Sequence, residues 1–460
     1  MSQNKRITPA HSKRHVIGIG LLSLFAASTL TAATICVNPG GTSGCKSTIS
    51  AAVAAASPGD VIQVWQGTYK EAVVITKALS LVAAEGSHPT IDATGLPNGI
   101  FVNGFTTAPP LGISNVLVSG FKVENANFEG ILVVSGSNVT IADNHVLNND
   151  KALDIDNGTC PGQPPFETNE GDDCGEGIHL MGTNHSSVVH NESEKNSGGI
   201  LITDETGTSN NNLITGNSVH DNPYDCGITL ASHPPANAKL PYGVFNNTIA
   251  HNDVARNGFQ VPGAGAGVGI FAPFPGTRDS GNVVIDNDLH DNGLPGVTMH
   301  NHAAAPAPAP SVNMDDNMII GNRIWGNGKD TEDAATSGPT GINLFSKAPV
   351  NGTVVSQNSI HDESIGIAFN APSNQISAHF NNFDITGIGV DNIGTGVVNA
   401  NFNWWGCATG PGTSGCAQLS EFGFKGRAGL GVIRLARTCR FTDDQGSKGA
   451  VSQGLKVTPG

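Results

Sequence analysis

The chain is organised by short runs in which apolar residues alternate with others: GIHL (177–180), GILI (199–202), GITL (227–230), GVGI (267–270), GVTM (296–299), GINL (341–344) and GIAF (366–369). A period of two reads as a β-strand with one face buried and one turned out. Ahead of these runs a second phrase, Asn-x-apolar, recurs at Asn144, Asn217, Asn252, Asn287, Asn322 and Asn358, with weaker matches at Asn191 and Asn381. Five residues after most of them stands another Asn: Asn149, Asn196, Asn222, Asn257, Asn292 and Asn327. The shortest spacings fit one coil of three strands, and the longer ones fit the same coil carrying loop insertions. The pattern predicts an all-β right-handed parallel β-helix of roughly 11–12 coils, stacked at about 4.8 Å. Asn suits the turns because it tolerates left-handed backbone and its amide can bond the Asn one coil away.

The stretch VVIDNDLHDNGLPGVTMHNH (283–302) is rich in Asp, His and Asn and invites a catalytic or metal-binding reading. The repeat explains most of it. Asn287 and Asn292 are ladder positions, and His290-Asp291 recurs as His220-Asp221 and His361-Asp362 at the same place in other coils. Chemistry seldom needs one pair three times, so these read as solvated turns.

The start of the helix is also legible. STISAAVAAA (47–56) is apolar at Ile49, Ala52, Val53 and Ala56, which predicts a short amphipathic capping helix. The PGD, GTY and TIDA phrases that follow (58–93) resemble the opening of the pectate-lyase-like β-helix superfamily. NWWGCATGPGTSGC (403–416) resembles the closing coil of its bacterial members. The resemblance spans roughly residues 35–416. It implies a right-handed β-helix with a polysaccharide-binding groove along one sheet. It names no activity: the paired-Asp, Gly-His-Gly and Arg-Ile-Lys set of polygalacturonases, the Arg-rich signature of pectate lyases and the Asp-Pro-His-Asp of alginate epimerases are missing.

Charge and cysteine usage bound the setting. Residues 34–420 hold 35 acidic and 12 basic groups, which argues against nucleic acid or an anionic membrane as partner. Residues 1–33 have Lys5, Arg6, Lys13 and Arg14 before the apolar run VIGIGLLSLFAASTL, and read as an export signal cleaved near Ala33. That predicts a secreted or periplasmic protein that is not integral to the membrane, here expected to be a monomer. Export makes disulfides expected, and the pairings predicted from short loops are Cys36–Cys45, Cys160–Cys174 and Cys407–Cys416, with Cys226 and Cys439 left over. The domain reading is a signal over 1–33, the β-helix over 34–416 and a basic, poorly ordered tail over 417–460.

Candidate chemistry lies on the outward positions of the Gly-apolar-x-apolar strands, which insertions at 157–176, 258–267, 327–340, 233–243, 272–281 and 302–315 would wall from both sides. The first outward column reads Asp154, His179, Leu201, Thr229, Gly269, Thr298, Asn343, Ala368. The second reads Asp156, Met181, Thr203, Ala231, Phe271, His300, Phe345, Asn370. Asp154, Asp156, His179, Glu205 and His233 are therefore the catalytic candidates. Asp204, Phe271, His300, Phe345 and Lys347 are the substrate-binding candidates. Asp154 and Asp156, i and i+2 on one strand, would suit sharing a calcium ion or splitting their carboxyl pKa values; no other cofactor is implied. His300 with His302 lacks a third spaced ligand for a metal. Because they point outward, Asp154→Asn and His179→Ala are expected to leave the thermal melt nearly unchanged.

The leading functional expectation is an exported β-helix that binds an extracellular polysaccharide or cell-surface glycan in this groove and cleaves or epimerises it, as a polysaccharide lyase or glycoside hydrolase. Two alternatives stand beside it. One is a non-catalytic adhesion or structural module, a stiff rod about 55 Å long. The other is a periplasmic accessory protein resembling the copper-site maturation β-helices of nitrous oxide reduction.

Overall fold

The computed structural model describes residues 32–105, 112–168, 174–233, 241–260, 265–273, 275–301, 312–331, 336–372, 375–421 and 432–434. Residues 1–31, which hold most of the expected export signal, together with His302, Cys439 and most of the tail, lie outside these. Among the described residues the chain winds into three long parallel sheets of 14, 12 and 11 strands. Each coil adds one strand to each sheet and stacks it on the last. The 12-stranded sheet, running from Val73–Ile75 to Gln418–Glu421, carries the Gly-apolar-x-apolar runs and is called the groove sheet here. No described helix is long and apolar enough to cross a membrane.

The interior is built by the period-two rule. Ile100, Ile131, Ile178, Ile200, Ile228, Val268, Val297 and Ile342 occupy one register position on eight successive rungs, and all are fully buried. Each such side chain contributes roughly 1.5–3 kcal/mol by leaving water. The glycine before each of these strands is required by close approach. A Cβ on Gly199 would stand 2.1 Å from Val219 Cγ1 and 2.3 Å from the carbonyl oxygen of Gly227 one rung on.

The Asn columns are continuous hydrogen-bonded ladders. Asn144, Asn191, Asn217, Asn252, Asn287, Asn322, Asn358 and Asn381 each donate a side-chain amide to the oxygen of the next, and the ladder ends at Asn403. A second ladder runs from Asn149 to Asn327 and ends on the carboxylate of Glu363. A third, Asn212–Asn247–Asn282–Asn317, was not anticipated, although each member stands five residues before a member of the first. One detail differs from the sequence expectation. The left-handed residue of the first turn is the one before the ladder Asn: Asp143, His190, His251, Asp286, Gln357, Phe380 and Phe402, with Gly216 and Gly321 completing the column. The ladder Asn itself is not left-handed and carries the buried amide.

The N-terminal edge is closed by the helix Ile49–Ala55, capped by Thr48. Glu71 accepts from the backbone N–H of Ile49 and Ser50, both at 2.8 Å, which satisfies donors a helix start leaves open. Disulfides join Cys36–Cys45, Cys160–Cys174 and Cys407–Cys416, and Cys226 is a buried free thiol. Of the tail, Val432–Arg434 pairs with Val397–Asn399 as a further strand.

Candidate functional site

The outward columns of the groove sheet follow the expected register from His179 onward. His179 neighbours Leu201, then Thr229, Gly269, Thr298, Asn343 and Ala368; Met181 neighbours Thr203, then Ala231, Phe271, His300, Phe345 and Asn370. The first member of each column is different. The strand beneath His179 is Ile131–Val134, which places Leu132 and Val134 where Asp154 and Asp156 were expected. Leu132 and Val134 face outward but are fully buried, in a cluster with Met181, Phe101, Phe105 and Phe166. The apolar outward face hides this strand from the period-two rule. Asp154 and Asp156 lie in the insertion after Leu147. There Asp154 accepts from the side-chain amide of Asn157 at 2.9 Å, and Asp156 is exposed. They do not stand on the rung beside His179, whose partner there is Leu132.

Around His179 the fold assembles a buried polar cluster. Its Nδ1 lies 3.3 Å from Glu129 Oε1 and 4.0 Å from Glu176 Oε2; its Nε2 lies 2.8 Å from Thr203 Oγ1. Glu129 and Glu176 were not singled out from sequence, yet a signal exists. EGIL (129–132) and EGIH (176–179) place Glu before the strand glycine on two successive rungs. Across from His179, His233 Nδ1 meets Glu205 Oε1 at 3.0 Å. Glu129, Glu176, His179, Glu205 and His233 are at most 5% exposed. They line a cavity of about 20 Å³, room for about one water molecule. Gln163, Glu167 and Thr168, from the insertion clipped by Cys160–Cys174, roof it.

The electrostatics of Asp204 and Glu205 diverge. Burial is the largest influence on Glu205 and pushes its pKa up. The hydrogen bond and charge of His233, with the charge of His179, overcome it and hold the carboxyl at about 2. Its Oε2 accepts no hydrogen bond among the described residues. Asp204 is raised to about 7, first by burial and then by the Glu205 charge. It does not point at the groove: it accepts from His233 N at 2.6 Å, Ser232 Oγ at 2.9 Å and Gly243 N, and so fastens the chain after Ile228–Ala231. Asp279, buried nearby, is raised well above its usual range by burial and by the Asp204 charge.

A second cluster lies four rungs along. His300 Nε2 is 2.6 Å from Thr298 Oγ1 and 3.1 Å from Asp330 Oδ2, and Asn343 donates to the same Asp330 oxygen at 2.7 Å. Phe271 and Phe345 flank His300 edge-on, with ring centroids at 5.6 and 6.3 Å. These rings are half-buried, and their faces are not laid open along the groove. Lys347 is exposed just past the end of Thr340–Ser346. On the third sheet, His290-Asp291 and His361-Asp362 bond within each pair at 2.8 and 2.9 Å, and Trp325 stacks between the two imidazoles.

Residues 96–305 match the family described as right handed beta helix region. The chain is a right-handed parallel β-helix protein. Similar solved structures include ORF18 of Geobacillus virus E2 (TM-score 0.50, 14% identity, over 80% of this chain and 61% of that one). Others are the DFA-IIIase of Arthrobacter chlorophenolicus A6 (0.50, 14%, 84% and 90%) and an alginate lyase of Paenibacillus sp. str. FPU-7 (0.48, 11%, 77% and 99%). At these identities the likeness is one of fold. This β-helix thus spans 61% of the viral protein's length. No curated protein sequence matches the chain.

Proposed function

We propose that this β-helix is an exported protein that binds an extracellular polysaccharide along the groove sheet and acts on it by proton transfer at the His179 cluster. The observation that carries this reading is the cavity itself. One imidazole held between Glu129 and Thr203, and one carboxylate paired with His233, face a single small space. Such a pair can hold a proton on one side and accept one on the other, which is what cleavage of a glycosidic bond requires. The cavity lining includes Glu129, Glu167, Glu176 and Glu205 and no Lys or Arg among the described residues. That lining repels a carboxylate, so the sugar acted on is one without negative charge at this position. The three disulfides support an oxidising, extracellular setting.

A second reading, a stiff non-catalytic module, is favoured by the burial of the outward column: His179, Thr203, Thr298 and Asn343 are at most 4% exposed. A glycan panel assayed for new reducing ends and for unsaturated sugar, with and without calcium, separates the two. Turnover lost in Glu205→Gln supports the enzyme. Binding without turnover in any condition supports the module.

A further inference from the structure

A second cavity lies on the far side of the Cys160–Cys174 insertion. It has a volume of about 340 Å³, within the range of small-ligand sites, and is far roomier than the space at His179. Its walls come from two places: the start of the insertion, with Lys151, Leu153 and Ile155, and the turns of later rungs, with Lys195, Pro223 and Tyr224.

The lining of this pocket is richer in positive charge than the acidic body around it, with two lysines against one aspartate. The body of the chain is strongly acidic, yet two of its few lysines line this one cavity. Asp150, also in the lining, is engaged by Cys174 N and Ser197 Oγ. Lys195 is paired with Glu194. Lys151 is different: it donates to the neutral amide oxygen of Asn148, feels the charge of neighbouring Asp150, and forms no close ion pair among the described residues. An ammonium has three donors, so Lys151 keeps capacity for an anion in the pocket. Beside it are apolar and aromatic surfaces. Ile155 is 38% exposed, Tyr224 is half-buried and its hydroxyl makes no hydrogen bond among the described residues. Phe259, 63% exposed, lies over Pro223 one rung on, since Gly258 and Gln260 N–H donate to the carbonyls of Asn222 and Pro223.

We propose that this pocket is an anchoring site for an anionic sugar, with Lys151 receiving the carboxylate or sulfate and Tyr224 and Ile155 receiving the ring. A flat apolar face beside a polar handle suits the C–H face of a pyranose, and the charge selects the acidic residue. The sugar part of the assignment rests on the polysaccharide reading; the anion part rests on Lys151. Together the two sites describe a heteropolysaccharide reader, with an acidic residue held at Lys151 and an uncharged one presented to the His179 cavity.

The test is calorimetric titration of the full chain with three probes: trigalacturonate for the carboxylate, a sulfated galactose trisaccharide for the sulfate, and neutral maltotriose. The expected result is that one anionic probe binds at least about tenfold more tightly than maltotriose, and more weakly as salt rises. Lys151→Met, which keeps the apolar stem, should weaken it about tenfold or more, and Tyr224→Phe several-fold, with melts unchanged. Which anionic arm responds identifies the group. His179→Ala should leave this binding intact. The site is overturned if neither anionic probe binds, if maltotriose binds as tightly, if Lys151→Met binds as well as the parent, or if His179→Ala abolishes binding. Absence of turnover on any glycan, with trisaccharide binding intact, would instead sink the groove reading alone.

Discussion

His179 and Thr203 stand on adjacent rungs of the groove sheet with Nε2 and Oγ1 2.8 Å apart, while Nδ1 of the same ring reaches Glu129 at 3.3 Å. The imidazole is therefore turned outward and yet buried and bonded at both nitrogens. This alters the expectation for its removal. His179→Ala leaves Glu129 and Thr203 without their partner, so it should cost about 1–3 kcal/mol as well as activity. Denaturant melts compared with Asp154→Asn, whose side chain sits in a solvent-facing turn, check this; Asp154→Asn should be near neutral.

Glu363 makes the fold pH-dependent. It ends the second Asn ladder, accepting from Asn327 N at 2.9 Å and Nδ2 at 3.1 Å, and burial is the main cause that raises it to about 8. The folded state thus keeps a proton that the unfolded chain releases near its usual value of 4.5. Its stabilisation is whole below that value and is lost as pH rises through about 8. Asp204, raised to about 7, acts in the same direction. Glu205, lowered to about 2, acts oppositely: its contribution is present above 4.5 and is lost as pH falls. Melts across pH should peak between these limits. Glu363→Gln, which keeps the accepting oxygen without the charge, should raise the midpoint at pH about 9 and leave it little changed at pH about 5.

The Asn ladders carry stability from the middle of the rod to its end. Asn252 Oδ1 accepts from Asn217, and its amide donates to Asn287 and to the carbonyl of Ile214. Asn252→Ala strands all of these groups in the core, and unpaired buried polar groups cost about 1–3 kcal/mol each. Asn403, at the end of the ladder, is held as fully: its oxygen accepts from Asn381 N and Nδ2, and its amide donates to the carbonyls of Ala378 and Ala400. Urea unfolding should show a loss of about 2 kcal/mol or more for Asn252→Ala and a comparable one for Asn403→Ala.

Gly199→Ala should be among the most damaging single methyl additions in the chain. Its Cβ would meet Val219 Cγ1 at 2.1 Å and the Gly227 carbonyl oxygen at 2.3 Å. Overpacking on this scale costs about 1–3 kcal/mol or more. Gly207→Leu offers a contrast only in space, because Gly207 has room for a Cβ but a left-handed φ of 146°. A soluble-expression and melt comparison of Gly199→Ala with the parent chain measures the effect.

The parts of the fold that repeat were legible because the same hydrogen bond and the same strand pairing are used on each rung. The outward columns from His179 to Ala368 and from Met181 to Asn370 follow from that regularity. The error at Asp154 and Asp156 has a physical cause. LDID (153–156) alternates like a half-buried strand, whereas the true strand ILVV (131–134) is buried on both faces and shows no alternation. The site was legible only in part. His179, Glu205 and His233 are brought together, but their partners Glu129 and Glu176 precede strands and fall outside a period-two reading. Likewise Asp330, which meets His300 from an insertion, has no fixed register to be read from.

The most direct test of the account is a crystal structure of the full chain with an oligosaccharide from a heteropolysaccharide that it binds. The account predicts one uncharged sugar ring within hydrogen-bonding reach of His179 or of Glu205 Oε2, with the chain continuing along the groove sheet. A sugar seated only on the 14-stranded or the 11-stranded sheet, with no contact to the His179 cavity, would contradict it.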